Sequence, residues 1–441
     1  MKFMIVGQGG RESSFAKKLA EDSVVYAAFG HKNPTIVDIV DETGGRYITV
    51  DIKDGHKLAD FAQEEAIDYV FVNCDDPLAA GIVDILLDRG IKAIGPTKAG
   101  ARIEWDKIFS IQLIDRLLPQ YTPVFKVIST QSDIDEAIQE FAESKLEIVV
   151  KPQGLTGGKG VKVMGKHLHS QEDVKAYIIE LLEKKPGEQV LLVEKLEGLE
   201  FTIMGITDGE HTVFSPASYD YPYRYEQDKG AGTGGMGCFT DITPHLPFMT
   251  EKQYEECTHI MSEVLKDLKA QGLHFNGVLN GGFFVTEQGI KFMEFNGRFG
   301  DPEGINILSI LDSNFSKILE AIYHQNLSEN DVVFKQQASV VKYLVSPSYP
   351  EKGDPIRFEL PIEQFESEGL SVVFSSAIRN ENGDYQTVSS SRVVGISGVG
   401  DSVPEASDRI NTCIDRYFSG GLEYRRDIGS AEEIERLKQV F

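Results

Sequence analysis

The stretch IVVKPQGLTGGKGVKV, residues 148–163, ends an apolar run in Lys151 and follows it with a loop of four glycines holding Lys159. Backbone amides freed by glycine, with ammonium groups beside them, suit a polyphosphate. It is not a P-loop, which needs G-x-x-x-x-G-K-[ST], because Lys159 is followed by Gly160. The flanking β-branched runs predict two antiparallel strands. The loop between them reads either as a flap over phosphates or as an ordinary glycine-rich hairpin, and the loop alone leaves both open.

A second run, KFMEFNGRFGDPEG, carries metal-type chemistry. Glu294 and Asn296 stand two apart on an expected strand, so both point to one face. A carboxylate and an amide oxygen suit a hard cation such as Mg²⁺, which takes its remaining ligands from waters and phosphates. Arg298 could hold a carboxylate bidentately, and Asp301 and Glu303 sit in the following turn. The competing reading is a solvated acidic hairpin edge, disfavoured by the flanking Phe292, Phe295 and Phe299. In LLVEKLEGLEFT, Glu194 falls at a strand end, where a carboxylate can take ribose hydroxyls. Glu200 follows a glycine turn and could face substrate or metal. KGAGTGGMG (229–237) reads as a flexible loop able to approach a ligand closely, with Met236 as packing. At the first turn, Gly7, Gly9 and Gly10 follow the first strand and Arg11 opens a helix, and helix N-termini bind phosphate. Position 12, where a dinucleotide fingerprint wants glycine, holds Glu12. A single phosphate at Gly9, Gly10 and Arg11 is therefore preferred over NAD, with a purely structural tight turn as the alternative.

These residues need a large scaffold. At 441 residues the chain exceeds one core, and two to four domains are expected. A hydrophobic content of 41% supports packed globular domains. The net charge of −25 argues against a nucleic-acid or anionic-membrane surface. Cys74, Cys238, Cys257 and Cys413 form no C-x-x-C pair, so a reducing cytoplasm is the expectation. MKFMIVGQGG reads as a strand and turn rather than a signal peptide, and no apolar window is long enough to span a membrane. Residues 1–100 alternate short apolar runs with helical patterns, which predicts a doubly wound α/β unit. A long helical segment follows, closed by Pro119 and Pro123. Mixed strands and helices run to about 190, and a second mixed unit runs to about 325. The tail reads as a small strand-rich domain ending in a helix. His167 and His169 read as a surface turn, and Trp105 as packing at a domain junction.

Taken together, GQGGRE, DDPLAAGIVD, GPTKAGARIEWDKIFS, KPQGLTGGKGV, AGTGGMG, EFNGRFGDPE and YRRDIG resemble, in order and spacing, the glycinamide ribonucleotide synthetase family of the ATP-grasp superfamily. The resemblance runs nearly end to end. It implies an N-terminal α/β domain (1–104), an ATP-grasp domain of small (105–189) and large (190–328) lobes, and a C-terminal domain (329–441). It implies that Lys107 and Lys151 bind ATP phosphates, covered by Gly157, Gly158, Lys159 and Gly160, and that Glu194, Lys195 and Leu196 hold adenosine, with Glu200 nearby. Glu294 and Asn296 would ligate Mg²⁺ or Mn²⁺, and Arg298 and Asp301 would border the acyl site. Gly9, Gly10 and Arg11 would meet the phosphate of phosphoribosylamine, Asp75 and Pro77 its ribose, and Asp220 the amine or the glycine. Lys151, Asp220 and Arg298 are the expected catalytic residues.

The resemblance also implies a cytoplasmic enzyme, a monomer or weak dimer, that acts on glycine, 5-phosphoribosylamine and ATP and has no nucleic-acid or membrane partner. Three departures fall on the expected substrate side. Ser13 replaces the family's histidine, Asp75 is a methylene shorter than the usual acid, and DYPYR puts Pro222 at a lysine position and Arg224 one residue past the usual arginine. The expectation is a repacked pocket for the same substrates, with Arg224 reaching in. The alternatives are a ligase for a different amino acid or amine, and a non-catalytic nucleotide-binding protein.

Overall fold

The computed structural model describes residues 1–156, 160–185 and 187–440. The N-terminal sheet has five parallel strands in the order Tyr47–Thr49, Val24–Phe29, Lys2–Val6, Tyr69–Val72 and Ala93–Ile94. Its central strand alternates: Phe3 and Ile5 join one apolar cluster with Phe15 and Phe71, while Met4 and Val6 join another with Leu58 and Leu78. Both faces are covered by helices, which is why its strands read as unbroken apolar runs.

Two antiparallel sheets follow. The first orders Phe125–Ile128, Val190–Glu194, Ile148–Pro152 and Lys162–Val163. The strands flanking the glycine loop pair Val149 with Val163 and Val150 with Lys162, the expected antiparallel hairpin. The second orders Thr212–Phe214, Leu199–Thr207, Gly277–Thr286 and Gly289–Asn296. The helix Glu251–Ala270, started by a Thr250–Gln253 capping box, carries buried Ile260, Met261, Val264 and Leu268 into the cluster that this sheet shares with Phe201 and Phe283.

A fourth sheet orders Tyr219–Asp220, Gly237–Thr240, Ala338–Leu344, Val394–Gly400 and Ser371–Phe374. Its first two strands come from the middle of the chain, so the segment bearing Asp220 hydrogen-bonds into a sheet otherwise built by the C-terminal residues.

Two local expectations are revised. The long helix expected before Pro119 is broken into Arg102–Trp105 and Lys107–Leu117. Asp106 leaves helical geometry between them, and its side chain caps the second helix by accepting from Phe109 N at 3.2 Å. The 229–237 run is not all loop: Lys229–Gly232 pairs with Tyr223–Tyr225 as a short hairpin. Phe15 binds the units together, packing on Phe71, Phe299 and Phe315 with ring centroids 5.0, 5.3 and 5.7 Å apart. That cluster fixes the turn after Asn296 against the N-terminal helix Gly10–Leu19.

Candidate active site

A cavity of about 520 Å³ lies where these sheets meet. Of the residues expected to act, Gly9, Arg11, Asp75, Lys107, Lys151, Glu200, Asp220, Glu294, Asn296, Arg298 and Asp301 line it. They come from every part of the chain, so the fold assembles one site from motifs up to 292 residues apart in sequence.

On one side stand the lysines. Lys151 is on the strand Ile148–Pro152 and reaches the wall from there. Lys107 opens the helix Lys107–Leu117, and its Nζ donates to Gly154 O at 2.9 Å. Burial pushes its ammonium below the ordinary range, while Glu294 pulls it back up. Beside them Ile111, Leu191, Val193 and Phe292 make the apolar stretch of the wall.

The acids follow. Gly289–Asn296 pairs with Gly277–Thr286 so that Glu294 stands opposite Gly282 and Asn296 opposite Asn280. Glu200, on the neighbouring Leu199–Thr207 strand, is pushed up to about 7, first by burial and then by the like charge of Glu294. The Asn280 Oδ1 is buried without a hydrogen-bond partner and lines the same cavity. An orphaned acceptor and a crowded carboxylate pair both gain from a hard cation. The donor set therefore fits a divalent metal. Among the described residues no group of three or more His, Cys, Asp or Glu side chains could hold a metal by itself. Glu294 and Asn296 would supply part of a shell completed by phosphate oxygens and water.

The third side is a lattice of arginines and carboxylates. Arg298 Nε lies 3.1 Å from Glu104 Oε1, and its Nη2 donates to Asn296 Oδ1 at 3.3 Å. Burial opposes the ionisation of Asp75, but Arg298 and Arg11 overcome it and hold the carboxyl below its ordinary value. Asp301 behaves alike: burial opposes, Arg392 and Arg11 win, and Tyr343 donates to Oδ1 at 2.6 Å. Asp220 is the contrast. Burial raises it well above the carboxylate range, Glu303 and Glu200 add to that, and its Oδ1 has no partner.

Several expected residues stand off the wall, and two that line it, Gly9 and Arg11, have their polar groups already engaged. Gly10 lies behind the wall, where an added Cβ would meet Tyr343 Oη at 2.3 Å, so glycine there admits the C-terminal sheet. The amide of Gly9 is taken by Glu12 Oε2 at 2.8 Å. Arg11 is turned inward, donating to Glu12 at 2.7 Å and to Phe299 O at 2.7 Å. Pro77 is buried in its helix and Gly160 packs on Thr156, both off the cavity wall. Glu194 accepts from Val124 N at 2.9 Å, Lys195 pairs with Glu147, and neither they nor Leu196 line the cavity. Gly157, Gly158 and Lys159 lie outside the described residues.

The substrate-side departures divide. Pro222 lines the cavity. Ser13 does not; its hydroxyl donates to Phe374 O at 2.7 Å and joins the N-terminal helix to the C-terminal sheet. Arg224 does not reach in, contrary to expectation. It is buried, donates to Tyr349 O at 2.9 Å and pairs with Glu423 at 2.6 Å. Met236 is buried packing, the Trp105 indole donates to Lys98 O at 3.0 Å, and His167 and His169 are exposed.

Sequence reasoning missed Glu104, which stands three residues before Lys107 but across the break at Asp106, so helical spacing does not mark it. It also gave no site role to Arg392 in SSSRVV, where no local pattern marks the arginine. Glu303 was noticed in its turn but given no role, and it too lines the cavity.

Comparison with known proteins agrees with this architecture. Family profiles for phosphoribosylglycinamide synthetase match as the N domain over residues 1–104, the ATP-grasp (A) domain over 106–304 and the C domain over 339–431. The phosphoribosylamine–glycine ligase of Methanothermobacter thermautotrophicus is 36% identical, covering 100% of this chain and 99% of its own. That of Pyrococcus furiosus is 37% identical, covering 100% and 97%. Among solved structures, the phosphoribosylamine–glycine ligase of Thermotoga maritima superposes with a TM-score of 0.79 at 22% identity, covering 97% of this chain and all of its own. The biotin carboxylase domain of Hydrogenobacter thermophilus 2-oxoglutarate carboxylase, solved with MgADP and bicarbonate, superposes with a TM-score of 0.70 at 17% identity, covering 99% and 92%. Full-length identity to the curated relatives, and family matches over nearly the whole chain, fix the assignment that the fold and cavity suggest: the chain belongs to the phosphoribosylglycinamide synthetase family of ATP-grasp, ATP-dependent ligases.

Proposed function

We propose that this enzyme joins the carboxylate of glycine to the amine of 5-phosphoribosylamine, consuming ATP and yielding glycinamide ribonucleotide, ADP and phosphate. The observation that carries the reading is the convergence of Lys107, Lys151, Glu294, Asn296 and Arg298 on one cavity. A carboxylate is a poor acyl donor because oxide must leave. Transfer of the γ-phosphoryl group to a glycine oxygen forms an acyl phosphate and releases ADP. The amine nitrogen then attacks the carbonyl carbon, the C–O bond to phosphate breaks, phosphate leaves, and the amine loses a proton.

The chain's part is positioning and charge neutralisation. Lys107 and Lys151 neutralise phosphate oxygens, Ile111, Leu191, Val193 and Phe292 flank the purine, and Arg298 orients the glycine carboxylate. Arg11 and Asp75 border the phosphoribosyl group, and Asp220 and Asp301 the amine side. A divalent cation, Mg²⁺ or Mn²⁺, held by Glu294 and Asn296, would supply further charge neutralisation on the phosphates. The loop 157–160 belongs to this reading as the cover of the triphosphate, as do Gly9 beside the substrate phosphate and Glu200 beside the nucleoside, whereas Gly10, Glu194, Lys195 and Leu196 stand off the cavity wall and could act only from behind it. The division at residues 104, 189 and 328 belongs to it as well; the separate family matches over 1–104 and 106–304 support the first of these boundaries. Four buried cysteines, all free, suit a reducing cytoplasm, and no helix among the described residues is long and apolar enough to cross a membrane.

The test is ADP release measured across amino acids, with and without phosphoribosylamine generated in situ. Turnover that needs both glycine and phosphoribosylamine is expected. Turnover with another pair of substrates, or none, would overturn the assignment.

A further inference from the structure

The cavity's C-terminal wall contains one guanidinium, that of Arg392, in the segment between the strands Tyr385–Thr387 and Val394–Gly400. Its side chain is only 13% exposed. Nη1 donates to Asp301 O at 2.6 Å, to Gly235 O at 3.3 Å and to Gly234 O. Nη2 stands 3.4 Å from Asp301 Oδ1, the oxygen that also accepts from Tyr343. The guanidinium carbon lies 4.6 Å from the Tyr343 ring centroid, so the cation is stacked as well as bonded.

The contacts join three separate segments. Gly235 has φ +97°, a conformation that favours glycine, and an added Cβ there would come 2.6 Å from Asp220 Oδ1 and 2.7 Å from Pro302 Cδ. The backbone held by Arg392 is therefore the backbone against which the Asp220 carboxylate rests. The same guanidinium fixes the carbonyl and carboxylate of Asp301, one residue before that proline. Three carbonyl contacts and a carboxylate exceed what a lysine ammonium could serve in one plane.

We propose that Arg392 is a positioning residue, contributed by the C-terminal residues, that sets Asp220 and Asp301 on the substrate side of the cavity through the Gly234–Gly235 turn. The assignment rests on reading this cavity as the ligation site. It distinguishes two halves: the nucleotide side, built on Lys107 and Lys151, has no contact with Arg392, while the acceptor side depends on it.

The experiment compares wild type, Arg392→Lys and Arg392→Ala by steady-state ADP release, with thermal melting as the control for folding. Both variants are expected to raise KM for glycine and for phosphoribosylamine at least 10-fold, with KM for ATP held within 2-fold. Lysine is expected to recover only part of the loss. Unchanged substrate KM values, an equal loss on ATP, or full recovery by lysine would overturn the proposal. If alanine does not fold, the lysine variant decides alone by the same split. If wild type itself shows no glycine-dependent and phosphoribosylamine-dependent turnover, the functional reading fails instead. The positioning role is then read by hydrogen exchange over residues 229–237. Exchange at least 10-fold faster in either variant, with the rest of the chain unchanged, supports the role; unaltered exchange there rejects it.

Discussion

Arg298 Nε stands 3.1 Å from Glu104 Oε1, so this cavity-lining guanidinium is aimed by a carboxylate from the helix Arg102–Trp105. The other oxygen of Glu104 accepts from Gly297 N at 2.8 Å. One carboxylate thus fixes both the backbone and the side chain of the turn after the metal-type strand. Burial pushes Glu104 up, and Arg298 opposes that. Glu104→Ala would remove the partner that fixes the half-buried Arg298 guanidinium and the acceptor of Gly297 N, and is expected to lower the melting temperature. Glu104→Gln keeps an acceptor for Gly297 while losing the charge that aims Arg298. The glutamine variant is expected to melt near wild type but to lose on the order of 10²-fold in kcat, because misplacement of about 1 Å near the reacting atoms costs that much. Melting curves beside ADP-release kinetics separate the two effects, and a glutamine variant with wild-type kcat would remove Glu104 from the positioning role.

Lys151→Ala and Glu294→Ala test the two charged ends of the phosphate path. Both side chains face the cavity from strands whose pairing does not depend on them. Each is expected to lower turnover by about 10²–10³-fold, the scale for removing one preorganised group that stabilises transition-state charge. Folded content by circular dichroism should be unchanged. Near-normal activity in either variant would count against the assigned chemistry.

The places of Lys151, Glu294 and Asn296 on the cavity wall were legible because their signals are local: residues at strand spacing need only the period of one strand to be placed. The substrate side was less so, because its geometry depends on contacts between distant segments. Glu104 meets Gly297 across 193 residues, and Arg392 meets Asp301 across 91. Arg224 shows the same limit from the other direction. Its place in DYPYR suggests a residue that reaches the substrate, but Tyr349 O and Glu423 hold it away. Composition and periodicity gave the general character of the main sheets, yet nothing in them placed Tyr219–Asp220 and Gly237–Thr240 in the C-terminal sheet.

Lys342 gives a pH dependence separate from catalysis. It is buried, and its Nζ donates to Ser407 Oγ at 2.9 Å, Asn411 Oδ1 at 2.7 Å and Arg426 O at 2.8 Å. Burial pushes the group down to about 7, outweighing the nearby carboxylate of Asp427, which favours the ammonium. Between about pH 7 and the ordinary lysine range near 10.4, the unfolded chain binds a proton that the folded one does not. Folding stability attributable to this group therefore rises with pH across that window, by up to about 1.4 kcal/mol per pH unit. Below pH 7 both states are charged and the slope vanishes. Lys342→Met removes the titration, so the stability of wild type relative to the variant should increase from pH 7 to 10 in denaturant titrations. A difference independent of pH would mean that Lys342 stays charged in the fold.

Lys166 joins the hairpin strand Lys162–Val163 to the segment that follows Asp220. It lies in the turn after the strand Lys162–Val163, and its Nζ sits 3.7 Å from the centroid of the Tyr223 ring. Tyr223 begins the short strand three residues after Asp220. An exposed cation–π contact is worth about 0.5–1 kcal/mol, or about 2–5-fold in a binding constant. The contact ties the turn after the strand Lys162–Val163 to the strand Tyr223–Tyr225, so it favours the arrangement in which these two segments lie together. Lys166→Ala and Tyr223→Leu should each raise KM for ATP by about 2–5-fold with little change in melting temperature. The double variant should be no worse than either single one, since both remove the same contact. Additive losses in that cycle would show that the two residues act separately and that the two segments are held together by something else.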